Sequence, residues 1–368
     1  MVTPACRAVL FFDGKTPLVQ RILQPGEIEG LDHNAIPRLL LPQPDSLFKA
    51  RAVRLRELAQ GKIKGIPVDA GMQGYLVLMA ALADAQAVVV GKLAPGAVPA
   101  ADPDALRRAI QHRMPVLPVS GARPPVWRDI FASLLDELAA TAASQPALSG
   151  GLTQVLAQLR ALDAPALDAC ADAVLDENGD NLNPMHAPFV AAALQILWSV
   201  SASELRAARV PDLETGTLCP VCGSHPVASV IRIGGQSQGY RYLHCGICES
   251  EWHMVRVKCS TCEQNGKIAY QGLDAADAKP FDPVTAKDDK LPNKANDPKK
   301  VARAETCDDC HTYRKVFNQE HDYNVEPLAD DLASLMLDLL VGEAGYQRAS
   351  GNPLLWLGKN ENSEGQQS

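Results

Sequence analysis

The 368-residue sequence has no excess of positive charge: 35 lysines and arginines stand against 43 acidic residues, a formal net charge of −8. That balance argues against nucleic acid as the main partner, because phosphate binding needs a clear basic surplus. Long uninterrupted apolar runs are also missing. The longest apolar stretch, "GYLVLMAALADAQAVVVG", contains Asp84 and has helical amphipathy, so it predicts a buried helix and no membrane insertion. Near the start, "ACRAVLFFDGK" has an apolar run of about five residues, shorter than the roughly 7–15 of a secretory signal. A soluble, cytoplasmic protein is the expectation. "DGKT" (Asp13 to Thr16) resembles the tail of a phosphate-binding loop, but Val9 stands where such a loop needs its first glycine. No activated nucleophile arrangement and no paired acid–base motif stands out, which points away from an enzyme.

Cysteine is what the chain does have, in a definite pattern. Of ten cysteines, Cys6 and Cys170 stand alone, read as an extension residue and a small buried apolar group. The other eight form four Cys-x-x-Cys pairs: Cys219/Cys222, Cys245/Cys248, Cys259/Cys262 and Cys307/Cys310. In a reducing compartment such pairs point to metal or catalysis rather than disulfides. A tetrahedral four-sulfur site is built from two such turns, each aiming two thiolates at one ion. The first pair reads "CPVCG", a turn typical of a rubredoxin-like or zinc-ribbon knuckle. The first two pairs are separated by 22 residues, enough for two strands and a turn, so sequential pairing predicts two sites. Cys219, Cys222, Cys245 and Cys248 form the first, and Cys259, Cys262, Cys307 and Cys310 the second. The 44 residues between Cys262 and Cys307 then form a second hairpin with a long insertion, which loop entropy tolerates. Spacing also admits a cross-braced pairing, first with third and second with fourth. Iron and zinc both accept four thiolates, so two ions per chain are expected and their identity stays open. A thioredoxin-like redox pair would want one motif beside a βαβ pattern, which this array of short strands does not offer. His225, His244, His253 and His311 lie near the knuckles, and with each four-sulfur set complete they read as supporting or surface residues. Over 216–270 and 304–325, seven basic residues face eight acidic ones, so the knuckles lack the charge of a nucleic-acid module.

The length suggests two domains and a sizeable core, and the fold class is α+β multidomain. Residues 1–20 read as a poorly ordered extension, and 21–212 as an α-helical domain broken by prolines. Its helices are expected over about 46–59, with Asp45 as N-cap, and over about 70–90, 103–113, 126–143, 150–162, 165–176 and 187–208. Phe131, Leu134, Leu135 and Leu138 mark the buried stripe of the fourth. From about Thr217 the pattern turns to short strands. "PVASVIRI" and "YRYLHC" flank a "GGQSQG" turn, and "EWHMVRV", "KIAYQGL" and "HTYRKVF" are further strands. Residues 213–270 and 304–325 are thus tandem rubredoxin-like or zinc-ribbon modules, two copies of one unit. The charged, proline-punctuated segment 271–303 reads as a flexible insertion at a hairpin tip. Residues 326–357 supply one amphipathic C-terminal helix, "LADDLASLMLDLLVGEAGY", and 358–368 a disordered tail.

The segments "CPVCGSHPVASV", "YLHCGICESEWHMVRVKCSTC" and "ETCDDCHTYRKVFNQE" closely resemble the formate dehydrogenase accessory (formation) protein family, FdhE. "RILQPGEIEGL" and "DDLASLMLDLL" resemble that family's N-terminus and C-terminal helix, and the likeness runs over about 21–270 and 304–357. All eight family cysteines have a match here. The resemblance implies a cytoplasmic protein, outside the mature enzyme, needed for assembly or activation of respiratory formate dehydrogenases. It implies binding to the catalytic molybdoenzyme subunit before export by the twin-arginine route. It also implies a helical domain followed by tandem rubredoxin-like ribbons, with iron as the metal. A rubredoxin-like electron-transfer role in maturation of the same enzyme is the alternative, because iron in four thiolates can change oxidation state.

Overall fold

The computed structural model describes residues 36–177, 183–265, 267–273 and 297–355. The expectations for 1–20, for the start of the helical domain (21–35), for most of the 271–303 insertion and for 356–368 lie outside these residues. The chain enters through a two-residue strand, β1 (Leu39–Leu40), and then turns helical. Helix α1 (Pro44–Ala59) begins two residues earlier than expected and is not capped by Asp45. Pro44, with its fixed φ, starts the first turn, while Asp45 lies inside that turn where its charge favours the helix dipole. Helix α2 (Ala70–Lys92) is capped by Asp69, whose carboxylate accepts from the Gly71 N–H at 2.7 Å. Among the described residues it is the one helix long and apolar enough to cross a membrane, by length and composition. Ten of its residues are buried in the protein core, so it is a core helix here.

Four further helices follow in the chain: α3 (Pro103–Gln111), α4 (Val126–Ser144), α5 (Pro146–Arg160) and α6 (Ala164–Leu175). Helix α5 starts four residues before its expected position because Pro146 again supplies the first-turn residue. Helix α7 (Ala187–Ser203) ends short of 208, and a 3-10 turn over Ala207–Arg209 follows. Every residue from Ala187 to Ser199 is buried, as expected of a helix that is apolar all round and sits in the middle of its bundle.

The second half of the chain forms β2 (Pro226–Ile231), β3 (Arg241–Cys245), β4 (Glu251–His253), β5 (Ile268–Gln271), β6 (Ala302–Cys307) and β7 (Thr312–Asn318). With β1 and a short β8 (Gln347–Arg348) they make one eight-stranded sheet among the described residues, ordered β1-β4-β3-β2-β7-β6-β5, with β8 beside β7. Each ribbon is an antiparallel unit in its own right. Pro226 lies opposite Cys245 in the first, and Ile268 opposite Cys307 in the second. A parallel pairing, Ser229 to Val316 through Ile231 to Asn318, joins the two. The Arg241–Glu305 ion pair at 2.5 Å, buried on both sides, crosses the same seam.

Two expectations change at the C-terminal end. The single helix is two, α8 (Pro327–Ala333) and α9 (Leu335–Glu343), with a break at Ser334 (φ −102°, ψ 35°). All of α8 is buried, its acidic residues included, so it is not amphipathic in place. Its charges have partners: Arg54 reaches Asp330 at 2.6 Å, and Lys315 and Arg348 reach Asp331 at 2.9 and 2.5 Å. The ends of the 271–303 segment are also ordered. Gln271 completes β5, Pro298–Lys300 form a 3-10 turn, and Val301 and Ala302 are buried in the core. Gly65 (φ +94°) lies so close to Pro298 that a Cβ there would fall 1.9 Å from the Pro298 carbonyl oxygen, so only glycine fits.

Candidate metal centres

Each Cys-x-x-Cys turn is folded by its own backbone. The N–H of Cys219 donates to the Ser224 carbonyl, that of Cys245 to Ser250 and that of Cys259 to Gln264, all at 3.0 Å. Closing such a turn requires a left-handed residue straight after the second cysteine, and all four knuckles have one. Gly223 (φ 85°) takes this place in the first, and Glu249 (φ 62°), Glu263 (φ 58°) and His311 (φ 53°) take it in the others. Only the first uses the residue that adopts this conformation without strain. Backbone N–H groups then point at sulfur: Ile247 and Cys248 at the Cys245 sulfur and Thr261 at that of Cys259, each at 3.4 Å.

The structure brings together Cys219, Cys222, Cys245 and Cys248, and separately Cys259, Cys262, Cys307 and Cys310. This is the sequential grouping; the cross-braced one is not formed. Within each set the four sulfurs all lie within 4.8 Å of one another. Cys219–Cys248 and Cys222–Cys245 are 3.4 Å apart, Cys259–Cys310 3.7 Å and Cys262–Cys307 3.8 Å. A disulfide needs about 2.05 Å. Four sulfurs about 2.3 Å from a central ion lie about 3.8 Å apart at tetrahedral geometry. The spacing therefore suits one ion per set, two per chain, and the all-sulfur donor set accepts iron or zinc. Burial pushes the Cys219, Cys245 and Cys248 thiols well above their ordinary range, so a cation is what would hold them as thiolates. Cys170 is half-buried on α6, and Cys6 lies outside the described residues.

The helical body grips the first centre from three sides. The Leu117 and Val119 N–H groups donate to the carbonyls of Val221 and Cys222 at 2.7 and 3.0 Å. Buried Gln195, from the middle of α7, donates to the Gly246 carbonyl at 2.8 Å and accepts from Gln86 of α2 at 3.0 Å. Arg51 of α1, with no exposed surface, forks onto Glu249 at 3.0 and 2.6 Å and reaches Glu326 at 2.8 Å. His244 bridges Glu249 and Glu251 at 2.9 Å on each ring nitrogen. Burial alone would lower the His244 pKa, but the two carboxylates push it up to about 9, so it is a cation. Burial likewise works against charge on Glu251, yet Arg232 and His244 hold that carboxyl down to about 2. His244, Glu249 and Glu326 lie within metal-binding reach of one another, but Arg51 and Glu251 already satisfy them and the cluster is a closed charge network.

Of these partners only His244 was singled out in the sequence, as a supporting or surface residue, and the structure places it in the supporting role. The one local signal was the residue after each second cysteine, glycine in "CPVCG" but Glu, Glu or His elsewhere. The remaining histidines are accounted for as well. His253 packs between Tyr240 and Tyr242, His311 lies exposed near Tyr346, and His225 lines a small cavity of about 130 Å³ with Glu177.

Comparison with known proteins covers nearly all of this architecture. Family models described as FdhE N-terminal, central and C-terminal domains match residues 36–214, 218–256 and 257–355. Protein FdhE of Escherichia coli strain K12 is 36% identical over 347 residues, 91% of this chain and 96% of that protein. The chain belongs to the FdhE family. A Protein FdhE homolog from Cronobacter sakazakii is 36% identical over 355 residues, 93% of this chain and 99% of its own. The crystal structure of the FdhE protein from Pseudomonas aeruginosa matches with a TM-score of 0.67 at 36% identity, covering 88% of this chain and all of that one. The boundaries of the three FdhE models follow the structure: the first covers the helical body, the second the first ribbon through β4, and the third the second ribbon with α8 and α9.

Proposed function

We propose that this protein is a cytoplasmic accessory factor for the maturation of a respiratory formate dehydrogenase, and that it binds the immature catalytic subunit before export. The observation that carries the reading is the end-to-end correspondence with FdhE, helical body and both cysteine quartets included. Under this reading the eight cysteines ligate two ions, Cys219, Cys222, Cys245 and Cys248 one, and Cys259, Cys262, Cys307 and Cys310 the other. The sulfur spacing supports that role. Iron is the proposed metal by family resemblance, with zinc as the alternative. The helical body and the two ribbons act as a binding scaffold, and the protein performs no catalysis itself. The closed first centre supports a structural ion, because all four of its sulfurs are buried and no position is open to a substrate.

The test is genetic and biochemical together. A strain lacking the protein should lose respiratory formate dehydrogenase activity, and the intact gene should restore it. Paired Cys219→Ser and Cys222→Ser changes should fail to restore it. Tagged protein recovered anaerobically should carry the catalytic subunit with it. Full activity in the deletion strain would remove the proposed role.

A further inference from the structure

The two centres are built alike but placed differently. The four sulfur-bearing residues of the first are 0–1% exposed, and all four belong to the main hydrophobic core. The 115–119 loop, Gln195 and Arg51 cover its knuckles, as described above. At the second centre Cys262 and Cys310 are only half-buried, and Thr261, Asp308, Asp309 and His311 beside them are exposed. None of its cysteines belongs to the main core. This end of the ribbon rests on a separate small core of Ala304, Tyr313, Leu337 and Val341, with Leu273 and Tyr346 against it. Polar contacts add to it: Arg314 donates to Ser260 at 2.8 Å, and Tyr313 and Lys315 bond Asp338 of α9 at 2.7 and 2.6 Å. Leu337 and Val341 come from α9, so this core holds α9 to the sheet. The apolar part of that support is four side chains, far fewer than enclose the first centre, and small modules with so little core lean on their ion.

We propose that the second centre is the exchangeable one. Its ion is reached through Cys262 and Cys310 and leaves by ligand substitution while the first centre stays closed. Its occupancy keeps the small core and α9 ordered. This rests on the reading of both quartets as metal centres and adds a division of labour between them: a fixed ion that belongs to the body, and an accessible ion that sets the order of one segment.

The test uses the full chain, loaded with zinc under anaerobic, reducing conditions and challenged with excess of the chromophoric chelator pyridylazoresorcinol. Zinc should leave in two phases of one ion each, the first on the order of tenfold faster or more. Alkylation quenched during the fast phase and read by mass spectrometry should mark Cys259, Cys262, Cys307 and Cys310. Amide exchange should rise over 304–314 and 335–343 in that phase and stay slow in α7. The Cys310→Ser variant should retain one slow ion. Release of both ions in a single phase, first-phase alkylation at Cys219 or Cys245, or unchanged exchange in α9 after the fast ion has gone would each overturn the proposal. A starting protein with reduced thiols and no bound zinc would instead overturn the metal reading beneath it.

Discussion

The left-handed residue that ends each knuckle allows one substitution to be made at three equivalent places with three different outcomes. Glu249, Glu263 and His311 all hold φ between 53° and 62°, where glycine is preferred. Replacing any of them with glycine relieves that strain; after the extra freedom glycine gives the unfolded chain, the net relief is about 0.5–1 kcal/mol. What else is lost differs. His311 is exposed and its ring lies 6.3 Å from the Tyr346 ring, so His311→Gly should stabilise the protein slightly. Glu263 is part-exposed and accepts from the Gly216 N–H at 2.5 Å; losing a bond worth about 1 kcal/mol leaves Glu263→Gly near neutral. Glu249 is buried, takes the Arg51 fork and meets His244. Its removal leaves Arg51 half-paired and His244 with one carboxylate; breaking a buried pair costs about 3–5 kcal/mol, so Glu249→Gly should cost about 2–4 kcal/mol net. Urea unfolding of the zinc-loaded variants, followed anaerobically by circular dichroism, reads all three on one scale. Equal shifts, or stabilisation by Glu249→Gly, would refute the account of why these residues are not glycine.

Two further outcomes follow from the same geometry. Gln195→Leu should leave the buried Gly246 carbonyl and the Gln86 amide short of a partner, costing about 1–3 kcal/mol in the same urea assay while both ions stay bound; an unchanged midpoint would show that this contact is dispensable. Deleting 274–296 and joining the flanks by a short turn should leave two ions per chain by metal analysis, whereas a deletion running through 303 should lose the second ion, because Val301 and Ala302 anchor β6 in the core; two ions in the longer deletion would contradict that anchoring.

Much of this fold can be read from local pattern. Helices at 3.6-residue spacing, the change to strands near Thr217 and the four knuckles all depend on residues close in sequence. The errors fall where a decision was made at a distance. Asp330 and Asp331 gave the C-terminal segment an amphipathic look, yet Arg54 and Lys315 draw both carboxylates inside, and the contact from Arg54 spans 276 positions. The break at Ser334 lets α8 stay buried while α9 turns towards β8, a choice set by packing rather than propensity. Val301 and Ala302 were hidden at the end of a lysine-rich segment whose average composition says loop. At the centres, the eight cysteines and their grouping were legible because each knuckle is a local turn joined by a hairpin. Arg51 and Gln195 were not, since a lone arginine on α1 and a glutamine inside an apolar helix gain meaning only from what the fold places beside them.

The central claim is that the eight paired cysteines hold two ions, each in a shell of four sulfurs from consecutive pairs. X-ray absorption with metal analysis on anaerobically purified protein tests it most directly. The account predicts two iron or zinc ions per chain, each surrounded by four sulfurs at about 2.3 Å, and one ion of the same shell after Cys307→Ser and Cys310→Ser together. A single ion in the intact chain, nitrogen or oxygen in the first shell, or loss of both ions from that paired variant would contradict it.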